Sequence, residues 1–94
     1  MKSGSVLVIY TKNSTKTEIA FSVKKRDFKL AVHRNRIKRL LKEAFRLNQN
    51  DLKENYTLFF IHLGNKTQDF KYYNDKINTL IKRLNEINHE KISS

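Results

Sequence analysis

The stretch from Leu30 to Asn48 is the strongest constraint on how this chain can fold. At about 100° per residue, His33, Ile37, Leu40, Leu41, Ala44 and Leu47 share one arc of a helical wheel, with Phe45 at its edge. Arg34, Asn35, Arg36, Lys38, Arg39, Lys42 and Arg46 fill the opposite arc. One arc needs a core to cover it, and the other is a cationic strip. The surrounding charge is as one-sided. Lys24 to Arg46 holds ten of the chain's 20 basic residues against Asp27 and Glu43 alone, which is +8 of a net +11. A solvated helix face mixes both signs, so a field of this kind is the footprint of a polyphosphate partner.

The rest of the chain supplies the core. Ser5 to Tyr10 is β-rich and reads as a strand, as does Glu18 to Val23, where Ile19, Phe21 and Val23 alternate. The polar segment between them predicts a hairpin. Lys24 to Lys29 is a basic connection into the helix. Tyr56 to Leu63 is apolar on both faces and predicts a central strand covered on both sides. A second helix from about Gln68 to Asn88 carries Phe70, Tyr73, Ile77, Leu80, Ile81, Leu84 and Ile87 at helical spacing, with His89 to Ser94 left as a tail. The expectation is a single domain over 1–94, of α+β class, with a small sheet in β-β-α-β-α order. At 94 residues it buries little, and its +11 charge opposes compaction, so bound anions are expected to stabilise it.

Several chemistries find no footing here. The chain has no Cys, hence no disulfide or thiolate metal site. Its nine acidic residues form no metal-binding motif and none joins a His in a recognisable catalytic constellation. Only Gly4 and Gly64 occur, too few for a glycine-rich phosphate loop. No signal peptide and no apolar run of membrane-crossing length is present, so a soluble, cytoplasmic protein without a membrane partner is expected. His33 has no second ligand at metal spacing and reads as structural. No catalytic and no metal-binding residue is assigned.

The run Ala31-Val32-His33-Arg34-Asn35-Arg36-Ile37-Lys38-Arg39 and its Glu43-Ala44-Phe45-Arg46 end closely resemble the signature of the bacterial ribonuclease P protein component. Phe21 to Lys25 resembles the strand and basic exit before it, and the likeness extends loosely through the last helix. The resemblance implies the small subunit of a ribonucleoprotein that removes the 5′ leader of precursor tRNA. Hydrolysis would fall to the catalytic RNA with its bound Mg²⁺, and no obligatory protein partner is implied. It implies RNA binding by Arg34, Asn35, Arg36, Lys38 and Arg39, which the helical strip extends to Lys42 and Arg46. It implies leader binding by Tyr10, Ser22, Lys24, Lys25 and Arg26. It also implies a left-handed crossover through the basic helix, against the general rule. Family members begin with a further helix that forms the other wall of the leader cleft. This chain reaches its first strand almost at Met1, so a fold without that helix and a one-walled cleft are expected.

The alternative is a basic structural RNA- or DNA-binding protein of ribosomal type, with no processing role. A helix-turn-helix reading is disfavoured because strands, not a short helix and tight turn, precede the basic helix.

Overall fold

A computed structural model describes residues 1–93, and the side chains of residues 1–87. The elements are β1 (Lys2–Ser3), β2 (Val6–Lys12), β3 (Glu18–Val23), α1 (Ala31–Asn48), a 3-10 turn (Gln49–Asp51), β4 (Tyr56–His62) and α2 (Phe70–Ser93). The last helix thus continues through residues expected to form a tail, and Ser94 lies outside the described residues. No described helix is long and apolar enough to cross a membrane.

The sheet order is β1-β2-β4-β3. This corrects the expected hairpin: β2 and β3 never pair. β4 lies between them, antiparallel to β2 and parallel to β3, and Val8, Phe60 and Phe21 share one rung. The connecting loop holds the entry to β4 rather than turning back on itself. The Asn13 N–H donates to Asn55 O at 3.0 Å, the Asn13 side chain donates to Thr57 Oγ1 at 3.1 Å, and that of Asn55 donates to Thr15 O at 3.3 Å. α1 is the crossover that makes β3 and β4 parallel.

β4 is central, but it is not covered on both sides. Tyr56, Leu58, Phe60 and His62 are buried, whereas Thr57 and Phe59 are exposed and Ile61 is half-buried. Both helices lie on the first face. α1 packs over β3 and α2 over β1 and β2, with the helices touching each other above the sheet. Among the described residues no third layer covers the opposite face.

On the covered face Phe60 is the centre, stacked on Phe21 at 5.8 Å between ring centroids and tilted against Phe45 at 5.8 Å. Ile37, Leu41 and Ala44 of α1 meet Tyr73, Ile77, Leu80, Ile81 and Leu84 of α2 around it. The buried arc of α1 is rotated from the one read on the wheel: Phe45 and Asn48 are inside, while His33 and Leu47 are exposed. Asn48 can be buried because its amide is fully engaged. Its Nδ2 donates to Ala44 O at 2.8 Å and Asn74 Oδ1 at 2.7 Å, and its Oδ1 accepts from Asn78 Nδ2 at 2.9 Å.

β1 was not expected. Gly4-Ser5 makes a two-residue hairpin turn in which Gly4 has φ +55°, and a Cβ there would collide with the Tyr72 hydroxyl. That hydroxyl accepts the Ser5 N–H at 2.8 Å. At the start of α2, Asp69 Oδ1 accepts the Tyr72 N–H at 2.9 Å, an N-cap.

His62 is the one buried histidine among the described residues. Its Nδ1 lies 3.1 Å from the Tyr73 hydroxyl, and Phe28 packs edge-on against its ring at 5.6 Å. Burial holds its pKa below the ordinary 6.5, outweighing the Lys66 backbone and the Asp27 carboxylate, which pull the other way. The fold therefore favours the neutral ring. The unfolded chain takes up a proton near pH 6.5, so the stabilisation is complete above that pH and declines below it. Urea midpoints are expected to fall between pH 7 and about pH 5.5, and His62→Gln is expected to flatten that decline. An equally steep decline in the variant would assign it to another group.

Candidate nucleic-acid interface

The apolar arc of α1 fixes which way its cations point. With Ile37, Leu41, Ala44 and Phe45 in the core, Asn35, Arg36, Arg39, Lys42 and Arg46 stand in solvent, and Arg34 and Lys38 are half-buried. All seven residues expected to bind RNA are thus on one helix and directed away from its core arc. Their electrostatic states differ. Arg46 is paired with Glu43, Nε to Oε2 at 3.2 Å, a contact that lowers the Glu43 pKa and raises that of Arg46. Arg36, Lys38, Arg39 and Lys42 have no acidic partner among the described residues. They are the uncompensated charge of the strip.

Arg34 has a second task. One of its Nη atoms donates to Phe28 O at 2.5 Å and to Lys29 O at 3.0 Å. It ties α1 to the connection that carries Lys24, Lys25 and Arg26. That connection folds as a turn, with the Asp27 and Phe28 N–H groups donating to Lys24 O at 3.1 and 3.3 Å. α1 itself starts without a side-chain cap, since Leu30 stands at the N-cap. The remaining N–H donors of Arg34 stay available for phosphate.

The residues expected to bind a leader are only partly brought together. Lys24, Lys25 and Arg26 are exposed at the exit of β3, and Ser22 faces the open side of the sheet. Tyr10 shares the helix-covered face with Val6 and Val8, at the far end of the sheet. It pairs with Leu58, and its ring meets Tyr56 edge-on at 6.1 Å. The aromatic residue on the open face is Phe59, 38% exposed, beside Ile9 at 56% and half-buried Leu7 and Ile61. Strand alternation carried the signal for Phe59, but a strand read as covered on both faces concealed it. Among the described residues no three His, Cys, Asp or Glu side chains gather closely enough to hold a metal ion.

Comparison with known proteins places this arrangement. The sequence model of the ribonuclease P family matches residues 1–85. The ribonuclease P protein component of Clostridium perfringens is 37% identical over 100 residues, covering 96% of this chain and 79% of that protein. That of Clostridioides difficile is 38% identical over 80 residues, covering 83% and 69%. Among solved structures, the RNase P protein from Thermotoga maritima superposes with a TM-score of 0.77 at 24% identity, over 88% of this chain and 80% of that one. The Staphylococcus aureus RNase P protein gives 0.68 at 20% identity, over 86% and 76%. At those identities the superpositions speak for the shared fold.

The two outer arginines are expected to separate in stability. Arg34→Ala leaves two carbonyls without their donor and should cost about 1–3 kcal/mol in urea unfolding. Arg36→Ala removes no such contact and should stay within about 0.5 kcal/mol of the parent. Equal costs would show that the Arg34 ties carry no weight.

Proposed function

The chain belongs to the ribonuclease P protein family, and from that premise we propose that it binds ribonuclease P RNA through α1 and takes part in removing the 5′ leader of precursor tRNA. The observation that carries this is the unpaired quartet Arg36, Lys38, Arg39 and Lys42 on a helix whose other side is locked into the core. Guanidinium forks match phosphate oxygens bidentately, and their rigid placement lowers the ordering cost of docking.

The leader, on this reading, lies over the open sheet face. Phe59 and Ile9 give a sequence-tolerant platform for unpaired bases, and Lys24, Lys25 and Arg26 draw the phosphates to the end near Ser22. Bond cleavage is assigned to the RNA subunit. On this reading Mg²⁺ is held by the RNA and the substrate phosphates, where it keeps its preference for phosphate oxygens and water. The protein works where precursor tRNA is made, in the cytoplasm. Its contribution is to hold substrate and catalytic RNA together, by neutralising phosphates that would otherwise repel.

Reconstitution with a bacterial ribonuclease P RNA at low Mg²⁺ tests this. Precursor-tRNA cleavage is expected to rise on adding the protein. Arg36→Ala and Arg39→Ala should each weaken RNA binding by about 1.5–3 kcal/mol and lower the salt slope by about one. Phe59→Ala should leave RNA-subunit affinity intact and cost about 1–3 kcal/mol in binding leader-bearing precursors only. No rise in cleavage, with equal affinity for duplex DNA, would contradict the processing role.

A further inference from the structure

A line of residues borders the core arc of α1, sharing Phe45 with it, and runs on into the 3-10 turn. Asn35, Lys38, Lys42, Phe45 and Gln49 recur at i, i+3, i+7, i+10 and i+14, which places them in one line about 21 Å long. That line runs beside β3, which is an edge strand of the sheet. Between helix and strand lies a groove of about 490 Å³ walled by Ile19, Ala20 and Phe21 on one side and Asn35, Lys38, Arg39 and Lys42 on the other. At the end of the groove is a smaller pocket of about 230 Å³, and Ile19 lines both.

The pocket differs chemically from the groove. Ile19, Phe45 and Leu52 supply its apolar part, and Thr17, Gln49, Asn50, Lys53, Glu54 and Asn55 its polar part. Asn55 is engaged with the loop before β3, accepting from Thr17 Oγ1 at 3.3 Å and donating to Thr15 O at 3.3 Å. Glu54 is held toward Lys12 at 3.8 Å. The side-chain amides of Gln49 and Asn50 are exposed and make no hydrogen bond within the described residues. Lys53 and Glu54 offset each other in the lining, so the pocket holds no excess of cations to draw a phosphate. Amides and a carboxylate over an apolar wall suit the edge and face of a heterocycle, since Asn and Gln pair with adenine and Glu accepts from cytosine. The cations without an acid beside them come in the groove, where a backbone would pass. Volume excludes a larger guest, because pockets for drug-sized ligands start at about 300 Å³.

We propose that this pocket receives one unstacked base of the ribonuclease P RNA, whose backbone lies along Lys38 and Lys42. The inference rests on the reading of α1 as the RNA-binding helix and adds a base-reading position to it. Lys38 and Lys42 set affinity through phosphate, and Gln49 and Asn50 read the base.

The test uses the full chain and a ribonuclease P RNA transcript. Gln49→Ala with Asn50→Ala should lower affinity about tenfold without changing the salt slope, because no phosphate contact is lost. It should also restore chemical reactivity to a single nucleotide base that the parent protein protects. Lys42→Ala should instead lower the slope by about one. Both positions are exposed, so the melting midpoint should not move. If the double substitution keeps affinity and footprint while Lys42→Ala still lowers the slope, the base pocket is overturned and the RNA-binding helix stands. If Lys42→Ala leaves the slope unchanged, both readings fall. Because the chain has no Cys, Asn50→Cys can also carry a photo-crosslinker. Crosslinks to one unpaired nucleotide are expected; crosslinks scattered along duplex would overturn the proposal.

Discussion

Repulsion among like charges is what the fold has to contain. Ten cations fall within Lys24 to Arg46, and two acids oppose them. Spread over a mobile chain they would favour expansion. They are held at close quarters because Ile37, Leu41, Ala44 and Phe45 anchor α1 against Phe60 and the apolar stripe of α2. Each fully buried side chain of that size contributes about 1.5–3 kcal/mol, enough in sum to keep the opposite arc together without an ion-pair lattice. The unpaired state of Arg36, Lys38, Arg39 and Lys42 follows from the same design. Internal acids would relieve the repulsion and at once blunt the cationic field of the outer arc.

The sheet answers a second requirement. Two helices suffice to cover one face, and both are used on the side where the core forms. What remains open is a band of Leu7, Ile9, Phe59 and Ile61 bordered by the basic exit of β3. α1 bridges the two surfaces. Arg34 holds the carbonyls of Phe28 and Lys29, so the cations of the connection keep a fixed relation to those of the helix. A change at Arg34 therefore acts on both surfaces, whereas a change at Arg36 acts on one.

What was legible in the sequence were the features written in local periodicity. The two helices, the cationic arc and the stripe of α2 follow from spacing, the stripe of α1 only up to a rotation that buries Phe45 and Asn48 and exposes His33 and Leu47, and the motif from Ala31 to Arg46 points to the family. Pairing was not legible. Whether β2 meets β3 or β4 depends on where the chain returns after α1, which no local pattern records. The same holds for the open face of β4: Phe59 and Phe60 look alike in sequence, and only the placement of both helices on one side tells them apart. Asn48 is polar by composition and buried in fact, because Asn74 and Asn78 reach it from a helix far along the chain. Tyr10, a leader contact by resemblance, is 37% exposed and stands on the helix-covered side, where register sets it against Tyr56. The groove beside β3 draws on β3 and α1, a conjunction that exists only after folding.

The central claim is that the outer arc of α1 is a preformed anion surface whose repulsion is relieved on binding. Thermal melts in sulfate and in chloride at equal ionic strength test it most directly, with the double variant Arg36→Ala, Arg39→Ala run alongside. Sulfate also stabilises proteins generally by exclusion from their surface, so the variant separates that effect from site binding. A higher midpoint in sulfate is expected for the parent chain, and a clearly smaller difference for the variant. Identical midpoints in the two salts, or an equal sulfate gain in parent and variant, would contradict it.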